Sequence, residues 1–462
     1  MTQTSKTQKT GAHNILEDFK MSRRAFVKAS ATAGAGLALG AGLTPKLSAL
    51  AEAQTGTGNE AGKWIGATCQ GCTSWCSKQV YVVDGRAVKV RGNPNSKVNG
   101  TASCPRAHLA LQQVYDPDRI KVPMKRTNPK KGRNEDPKFV PISWDEALGT
   151  IADKIMELRK NNETHKYMLM RGRYSYMRDV LYSRMTKIIG SPNNISHSAI
   201  CAEAEKFGPY YTEGYWGYRQ YDVKRARYIL LWGADPLAAN RQVSYYSSAW
   251  GDAIDSATIA IAEPRLSATA AKADEWMPVK PGTDGALAVA IAHVLLTEGL
   301  WYKPFVGDFV DGENRFVAGD FVAEETFEEI HTNGIVKWWN LELKDKTPEW
   351  ASKITDLPVE QIRRVAIGYG KAAPHAISWL GGGPCMQVRG SYAAMAVHAL
   401  NGIVGAVDNV GGTQKSNKEY TTKFPKPDDF LDDIAKNGKA FGKKHGKIDQ
   451  RGRLECPALN KG

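Results

Sequence analysis

The stretch Cys69-Gln70-Gly71-Cys72-Thr73-Ser74-Trp75-Cys76, followed at a distance by Cys104-Pro105-Arg106, organises this chain. Its cysteines have the spacing C-x2-C-x3-C-x27-C. Four thiolates that converge on one point are the ligand set of a [4Fe–4S] cluster or of a structural zinc ion. Zinc usually prefers paired C-x2-C knuckles, whereas three cysteines here share one tight loop. The pattern therefore favours the cluster over zinc, and either metal over unliganded thiols.

A β-hairpin is predicted between the cysteine loop and Cys104. Two short apolar runs, Gln79–Val83 and Arg86–Val90, flank the dipeptide Asp84-Gly85. Asp-Gly between such runs is the strongest two-residue signal for a hairpin turn. The hairpin would bring Cys104 back beside the cysteine loop.

The N-terminus has the pattern of a targeting segment. The arginine pair in Ser22-Arg23-Arg24-Ala25-Phe26-Val27-Lys28 precedes a weakly apolar run that ends near Ala51-Glu52-Ala53. Twin arginines before a modest apolar region are typical of a bacterial Tat export signal. The alternative is a disordered basic N-terminus. Because Tat exports folded proteins, the signal suits a chain whose cofactor is inserted before export to the periplasm.

Composition indicates a large core and no transmembrane segment. The 462 residues are 42% hydrophobic and contain no apolar run of membrane-spanning length, and the length suggests more than one domain. The net charge of +14 is not accompanied by interleaved stacking aromatics, so nucleic acid is not an expected partner. Beyond the four spaced cysteines, an odd remainder is left: Cys201, Cys385 and Cys456.

The region after Cys104 begins with a connector rich in Pro, Lys and Asp, from about 116 to 141. Ser143-Trp144-Asp145-Glu146 is a capping box, and apolar residues follow at helical spacing. A short strand is predicted over Tyr167–Met170. A helix should then run to about Ile189, before a turn over Gly190–Asn194.

From Arg227 onward, strands alternate with helices. The predicted strands are Tyr228–Leu231, Thr258–Ala262 and Ile377–Leu380. This alternation predicts a parallel, doubly wound α/β sheet, whose ligands bind beyond the carboxyl ends of the strands. An apolar helix over Ala286–Leu296, capped by Asp284 and ended by Gly299, is too apolar to be exposed.

Polar loops follow each of these strands. No Gly-x-Gly-x-x-Gly is present, so a nicotinamide dinucleotide is not indicated. Any bound nucleotide would be held by the loops that contain Gly233-Ala234-Asp235-Pro236, Glu263-Pro264-Arg265 and Gly381-Gly382-Gly383. The alternative is that the loops merely turn the chain. The tail from Lys415 onward loses apolar periodicity and ends at Gly462 without a capping element, an end that we interpret as a fragment boundary.

Several of these motifs resemble one family. The cysteine spacing, the loops at Gly233–Pro236 and Glu263–Arg265, and Pro281-Gly282-Thr283-Asp284 resemble the molybdopterin oxidoreductases of the dimethyl sulfoxide reductase family. Within that family, Arg171-Gly172-Arg173-Tyr174 and the stretch from Ser196 to Ala204 resemble the catalytic subunits of respiratory arsenate reductases.

The resemblance implies a small β-rich iron–sulfur domain plus doubly wound, Rossmann-like and mostly parallel α/β domains, with a C-terminal pterin-binding domain missing. The implied divisions are a Tat signal at 1–53, a [4Fe–4S] domain at 60–125, a split α/β domain at 126–195 with 380–462, and a nucleotide- and pterin-binding domain at 196–379.

The resemblance also implies cofactor ligands. The [4Fe–4S] ligands would be Cys69, Cys72, Cys76 and Cys104. Cys201 would be the thiolate ligand of molybdenum, a soft ligand suited to that metal, and two molybdopterin guanine dinucleotides would supply the other sulfurs. The residues that would contact the pterin and nucleotide parts are Arg106, Gly233, Asp235, Glu263, Arg265 and Asp284. The family more often has Asp at the position of Glu263.

An oxyanion pocket is implied as well, since capture of arsenate needs cations and hydrogen-bond donors near the metal. The matching residues are Arg173, Tyr174, His197, Ser198, Lys206 and Tyr218. Lys206 falls in a predicted helix that begins near Cys201, where a helix N-terminus would favour a thiolate and an anion. From the residues alone, a lone Cys or His is more often a packing residue, and Cys385 and Cys456 are interpreted as structural.

The implied function is reduction of arsenate to arsenite by the catalytic subunit of an exported molybdenum enzyme. Electrons would come from a small iron–sulfur partner subunit in a heterodimer. Alternatives with the same fold are a reductase of thiosulfate, polysulfide or tetrathionate, or an arsenite oxidase. A non-enzymatic alternative is an inactive metal-binding fragment whose cysteines hold zinc.

Overall fold

The structure, a computed structural model, describes residues 62–72, 74–172, 176–197, 201, 203–416, 425–445, 447–448 and 454–455. The predicted export segment lies outside these ranges. So do Arg173, Tyr174, Ser198 and Cys456. No helix in the described ranges combines the length and the apolar character needed to cross a bilayer.

The predicted hairpin is confirmed and is part of a three-stranded antiparallel sheet. Its strands are Ser77–Val83 (β2) and Arg86–Gly92 (β3), and Lys63–Thr68 (β1) pairs with β2. Asp84 and Gly85 have positive φ angles of 48° and 75°. A two-residue hairpin turn of type I′ needs both angles positive, which explains why Asp-Gly occurs there.

The connector after the hairpin contains more regular structure than its composition indicated. Two short helices, Pro105–His108 (α1) and Ala110–Val114 (α2), follow Cys104 directly. Met124–Arg126 (β4) then pairs antiparallel with Phe139–Pro141 (β5).

A first α/β unit follows. Helix Trp144–Lys160 (α3) begins as predicted, because Ser143 Oγ accepts a hydrogen bond of 3.1 Å from the backbone N–H of Glu146. Met168–Arg171 (β6) pairs in parallel with Asn193–Ser196 (β7), and Tyr176–Ile189 (α4) connects them. The predicted turn was too long at its end, since Asn193 and Asn194 belong to β7.

The largest sheet is parallel and matches the predicted doubly wound architecture. The elements that lead into and build it are Glu203–Glu213 (α5), Arg219–Tyr221 (β8), Tyr228–Trp232 (β9), Val243–Ile254 (α6), Thr258–Ala262 (β10) and Glu275–Met277 (β11). Its strand order is β11-β10-β9 and then Ala376–Leu380 (β14), which returns to the other side of β9.

Helices cover both faces of this sheet, so β9 and β14 are buried along their whole length. The elements between β11 and β14 are Asp284–Thr297 (α7), Lys303–Val306 (α8), Gly307–Phe309 (β12), Phe327–Glu329 (β13), Ile335–Leu341 (α9), Pro348–Thr355 (α10) and Val359–Lys371 (α11). Successive side chains of β9 alternate between two cores, as the period of two requires: Leu230 packs in one and Leu231 in the other.

Helix α7 is buried, as its apolar sequence predicted, but its start differs from the prediction. Thr283 occupies the N-cap position without a side-chain hydrogen bond, and Asp284 is the first helical residue. Gly299 follows the helix with a φ of 67°, which fits its predicted role in ending α7.

The segment after β14 contains Gly382–Cys385 (α12), Gly390–Ile403 (α13) and Thr413–Lys415 (β15), which pairs with β8. Farther on lie Asp433–His445 (α14) and the strand pair Lys447–Ile448 (β16) and Leu454–Glu455 (β17). Helix α14 was missed, because Lys and Gly residues interrupt its apolar spacing.

The predicted domain limits remain a proposal. The packing of two helices suggests that one of the boundaries should be moved. Helix α14 packs against α4, in line with a split domain that joins 126–195 to the end of the chain. Helix α13, however, packs against α7 and β14. We therefore propose that residues 381–416 belong with the central sheet, and that the boundary lies after 416 rather than at 380.

Candidate active site

The cysteine loop is closed by its own backbone. The N–H of Cys69 donates a 3.0 Å hydrogen bond to the carbonyl of Cys76, and the N–H of Gly71 donates to Cys69 Sγ at 3.4 Å. Gly71 also packs on α1, since a Cβ at this glycine would lie 3.5 Å from the carbonyl oxygen of Arg106. Cys104 immediately precedes α1 as its N-cap residue, so the hairpin does return Cys104 to the loop.

The four thiols influence one another electrostatically. Burial raises the pKa of Cys76; the charges of Cys72, Cys69 and Cys104 add to this effect, and Lys78 opposes it. All six cysteines in the described ranges are free. Among the described His, Cys, Asp and Glu side chains, no three are arranged to hold a single metal ion.

Two hydrogen bonds join the cysteine loop and its helix to the central sheet. Arg106 Nη2 donates to the carbonyl of Asn240 at 2.9 Å, and the N–H of Gln242 donates to Ser74 Oγ at 2.6 Å. Asn240 and Gln242 lie in the loop between β9 and α6. This loop therefore touches the cysteine region directly.

A cleft of about 1370 Å³ opens beyond the carboxyl ends of β9, β10 and β14. Strand β9 is the point where the strand order reverses, which is where open α/β sheets bind ligands. The loops after these strands approach each other closely: Gly233 has a φ of 54°, and a Cβ there would lie 2.7 Å from Pro384 Cδ. Cys72, Ser74 and Arg106 line the same cleft, so the cysteine region borders it.

The proposed nucleotide-contact residues after β9 and β10 lie together. Thr269 Oγ1 donates to Asp235 Oδ1 at 2.6 Å, and Ser267 Oγ donates to Glu263 Oε2 at 2.9 Å. Burial raises the pKa of Glu263. Arg265 lies 3.7 Å from Asp235 Oδ2 and 3.5 Å from Glu263 Oε1, but its side chain is 70% exposed. Its guanidinium can therefore reach an anionic ligand in the cleft.

Cys201 lines the same cleft as the polar loops and lies just before α5. The N–H of Ala204 donates to the carbonyl of Cys201 at 3.4 Å, so the backbone of Cys201 begins the turn that leads into the helix. His197 follows β7 and lines the cleft with Cys201. Its buried Nδ1 has no hydrogen-bond partner among the described residues, which leaves this nitrogen available to a ligand.

Lys206 and Tyr218 lie beside each other in the cleft. Lys206 Nζ is 4.9 Å from the centroid of the Tyr218 ring and 3.2 Å from Glu203 Oε1. Burial raises the pKa of Tyr218 well above its usual value. The phenol therefore keeps its proton near neutral pH and can donate a hydrogen bond.

Arg241 and Glu205 are part of this cluster, although the sequence did not single them out. Arg241 Nη1 lies 2.8 Å from Glu205 Oε2, and its guanidinium carbon is 4.3 Å from the centroid of the Tyr218 ring. Burial alone would lower the pKa of Arg241, but Glu205 more than reverses that effect. The sequence did contain one signal for Arg241, because this residue lies in the polar loop after β9, where ligands were expected to bind.

Among the described residues proposed to contact the pterin and nucleotide parts, Asp284 is the one that lies apart from the cleft. It is not among the residues that line the cleft. Its side chain is buried in the first turn of α7, and burial raises its pKa to about 6. Its assignment as a nucleotide contact stays a prediction.

The charge of the cleft is positive. Six basic side chains and four carboxylates line it among the described residues, and they are Arg106, Arg171, Lys206, Arg219, Arg241, Arg265, Glu203, Glu205, Asp235 and Glu263. An excess of cations in a cleft with low-dielectric walls attracts anions. The phosphates of a nucleotide and an oxyanion substrate are both negatively charged, so the cleft would attract either of them.

Fold and site together define an α/β protein with a ligand cleft and an attached four-cysteine region, and comparison with known families identifies its class. A family model for the molybdopterin oxidoreductase Fe4S4 domain matches residues 62–116, and one for molybdopterin oxidoreductase matches residues 119–454. The chain belongs to the molybdopterin oxidoreductase family. This confirms the [4Fe–4S] cluster and molybdopterin as its cofactors, and decides between cluster and zinc.

Individual relatives are more specific. The chain is 60% identical over 402 residues to the arsenate respiratory reductase molybdopterin-containing subunit ArrA of Shewanella sp. (strain ANA-3), covering 87% of this chain and 47% of the relative. It is 53% identical over 450 residues to the ArrA of Chrysiogenes arsenatis, covering 95% and 51%. The chain thus spans about half the length of these curated relatives.

A solved structure supports the fold. Acetylene hydratase from Pelobacter acetylenicus matches with a TM-score of 0.58 and 21% identity, covering 74% of this chain and 43% of that one. At this identity the likeness concerns the fold alone.

Proposed function

We propose that this chain is part of the catalytic subunit of a molybdenum oxidoreductase that reduces arsenate to arsenite. The observation that carries the proposal is the grouping of Lys206, Tyr218 and Arg241 in the same positive cleft as Cys201. The identity of 60% and 53% to two arsenate respiratory reductase subunits supports arsenate as the oxyanion.

The proposed substrate residues combine charge with hydrogen-bond donors. Lys206 and Arg241 provide fixed positive charge, and the protonated Tyr218 provides a neutral donor. Charge-assisted hydrogen bonds are roughly twice as strong as neutral ones, and bidentate arginine contacts add geometric selectivity for oxyanions. Arg173, Tyr174 and Ser198 are proposed to complete the pocket, and they lie outside the described residues.

The donor set fits the cofactors. Cys69, Cys72, Cys76 and Cys104 are proposed to hold the cluster, since thiolates are its usual ligands. Cys201 is proposed to ligate molybdenum. The loops with Asp235 and Glu263 are proposed to hold the guanine dinucleotide portions of two pterins, because their carboxylates can accept hydrogen bonds from a guanine edge.

The reaction consumes two electrons and two protons and releases water as arsenate becomes arsenite. When bound, the molybdenum cofactor supplies the redox chemistry that takes up the oxygen atom. The side chains of this chain bind and orient the oxyanion. Tyr218 holds a proton at its hydroxyl oxygen, from which it donates a hydrogen bond to a substrate oxygen.

A partner and a compartment belong to the same proposal. Both relatives are named as subunits, which supports an electron-donating partner, and we propose a small iron–sulfur protein in a heterodimer. The twin-arginine segment at Arg23 and Arg24 supports export to the periplasm.

Metal analysis and an oxyanion panel test the proposal. Protein purified anaerobically with its partner subunit should contain iron and molybdenum, and should reduce arsenate in preference to thiosulfate and tetrathionate. A preference for a sulfur oxyanion would contradict the substrate assignment while leaving the cofactors in place. Zinc without molybdenum would contradict the enzymatic function itself.

A further inference from the structure

Lys78, in strand β2, is buried without a carboxylate partner. The residue is only 2% exposed. Lysine is rarely buried so completely unless it is paired, because removing an ammonium from water is costly. Among the residues that the structure describes, Lys78 Nζ donates one hydrogen bond, to the carbonyl oxygen of Ala102 at 2.9 Å, and no carboxylate lies within ion-pair distance. An ammonium has three N–H donors, so its charge and two of its donors are left for a further partner.

The geometry of the three-stranded sheet explains where this ammonium lies. Lys78 is directly opposite Gly92 in the β2–β3 pair, and opposed residues of an antiparallel pair point to the same face. A Cβ at Gly92 would lie 2.4 Å from the carbonyl oxygen of Thr101 and 2.7 Å from that of Ala102. The absence of a side chain at Gly92 therefore lets the segment that leads to Cys104 lie directly on the sheet, where it meets the Lys78 side chain.

The hydrogen bond of Lys78 joins two segments that carry proposed cluster ligands. Lys78 lies two residues after Cys76, and its partner Ala102 lies two residues before Cys104. Consecutive Cα atoms are about 3.8 Å apart, so the Cα atoms of Cys76 and Lys78, and those of Ala102 and Cys104, are at most about 7.6 Å apart. Cys76 is itself buried. A charge enclosed this close to the ligand segments is screened much less than an exposed one.

We propose that the buried ammonium of Lys78 is a counter-charge for the iron–sulfur cluster and raises its reduction potential. The inference rests on the proposed assignment of the four cysteines as cluster ligands. Reduction adds one electron to the cluster, so a nearby positive charge stabilises the reduced state more than the oxidised state. Net charge is one of the factors that set the potential of such clusters. The cluster in turn provides the negative charge that Lys78 lacks among the described residues.

The test is a redox titration of the cluster, followed by electron paramagnetic resonance, in the anaerobically purified full-length catalytic subunit. Lys78→Met keeps an apolar stem without the charge. It should shift the reduction equilibrium toward the oxidised cluster by up to about tenfold, which is about 59 mV more negative for a one-electron couple. Lys78→Gln keeps a donor for the carbonyl of Ala102 without the charge, so its potential should fall as well. Lys78→Arg keeps the charge and should retain the wild-type potential.

Lys89→Met is the matched control. Lys89 lies on β3 of the same sheet, nearer the hairpin turn, and is exposed. Water screens its charge, so its loss should leave the potential unchanged.

The Gln and Arg variants at position 78 separate charge from structure, because both side chains can donate to the carbonyl of Ala102. If Lys78→Met fails to assemble a cluster, this pair still decides. Equal potentials in the pair would overturn the inference and leave the cluster assignment standing. A wild-type subunit without iron would instead overturn the ligand assignment, and the inference with it.

Discussion

The guanidinium carbon of Arg241 lies 4.3 Å from the centroid of the Tyr218 ring, so a loop residue after β9 and a residue just before β8 meet in the cleft. Lys206 approaches the same ring at 4.9 Å. Cations near an aromatic ring are attracted by its quadrupole. Contact with the Tyr218 ring therefore helps to hold in place both of the cations that are proposed to bind the substrate.

Arg241→Ala should weaken oxyanion binding and leave Glu205 without its partner. A hydrogen bond to a charged group contributes about 1.5–3 kcal/mol, so kcat/KM for arsenate should fall by about ten- to a hundredfold. Steady-state kinetics measure this. Arg363→Ala is the control, because Arg363 pairs with Glu349 at an exposed site away from the cleft and should leave kcat/KM unchanged. Unchanged arsenate kinetics in Arg241→Ala would assign Arg241 a purely structural role.

Lys206→Ala and Arg173→Ala are expected to lower kcat/KM for arsenate by about ten- to a few-hundredfold, because each removes a proposed charge-assisted contact. Molybdenum and iron contents should stay normal, since neither side chain is a proposed metal ligand. Cys201→Ala should instead disturb the molybdenum signal and abolish turnover while sparing the cluster. Wild-type arsenate kinetics in both cation variants would show that the oxyanion pocket is misplaced.

Serine at any of Cys69, Cys72, Cys76 or Cys104 should cause loss of the cluster, because a hydroxyl does not replace a soft thiolate. Wild-type protein should be brown and hold the four irons of a [4Fe–4S] cluster per chain. Iron analysis and visible absorption measure the loss. Cys385→Ala is the control: this thiol is buried, and burial raises its pKa to about 12, so iron should be retained. Full iron content in a ligand variant would remove that cysteine from the set.

Asp284→Asn should stabilise the protein at neutral pH. The folded-state pKa of about 6 exceeds the unfolded value of about 3.9, so the folded protein binds more protons between these values and stability falls as pH rises through this window. The variant removes a penalty of at most about 3 kcal/mol at pH 7 and little at pH 4.

Urea unfolding at both pH values measures this difference. Asp320→Asn makes the same chemical change at an exposed position. It should change the free energy of unfolding only slightly, and by the same amount at pH 4 and pH 7. A destabilised Asp284→Asn variant at pH 7 would indicate that the ionised carboxylate has a favourable partner.

Export is expected to need Arg23 and Arg24 together, because the twin-arginine pair is the recognised feature of the signal. Changing both to Lys should leave precursor in the cytoplasm, as measured by cell fractionation. Ordinary delivery of the double variant to the periplasm would indicate another route.

Local patterns in the sequence were sufficient for most individual elements. Asp84-Gly85 specified a hairpin because Asp and Gly tolerate the two positive φ angles of a type I′ turn, and Ser143 specified the start of α3 through its cap. The alternation of strands with helices from Arg227 onward predicted the parallel, doubly wound sheet, since parallel strands need crossover connections that are usually helices. Helix α14 was missed because Lys and Gly interrupt its apolar face, and packing on α4 stabilises it instead.

The sequence by itself thus determined the cysteine spacing, the strands and the loops that end them, and through motif resemblance the family. Only the tertiary structure placed Arg241 against Tyr218 and Glu205, and Gln242 against Ser74. These pairs are 23, 36 and 168 residues apart along the chain, so no local periodicity connects them. These contacts form because the loop after β9 lies at the carboxyl-end edge of the parallel sheet, where α5 and the cysteine loop also lie.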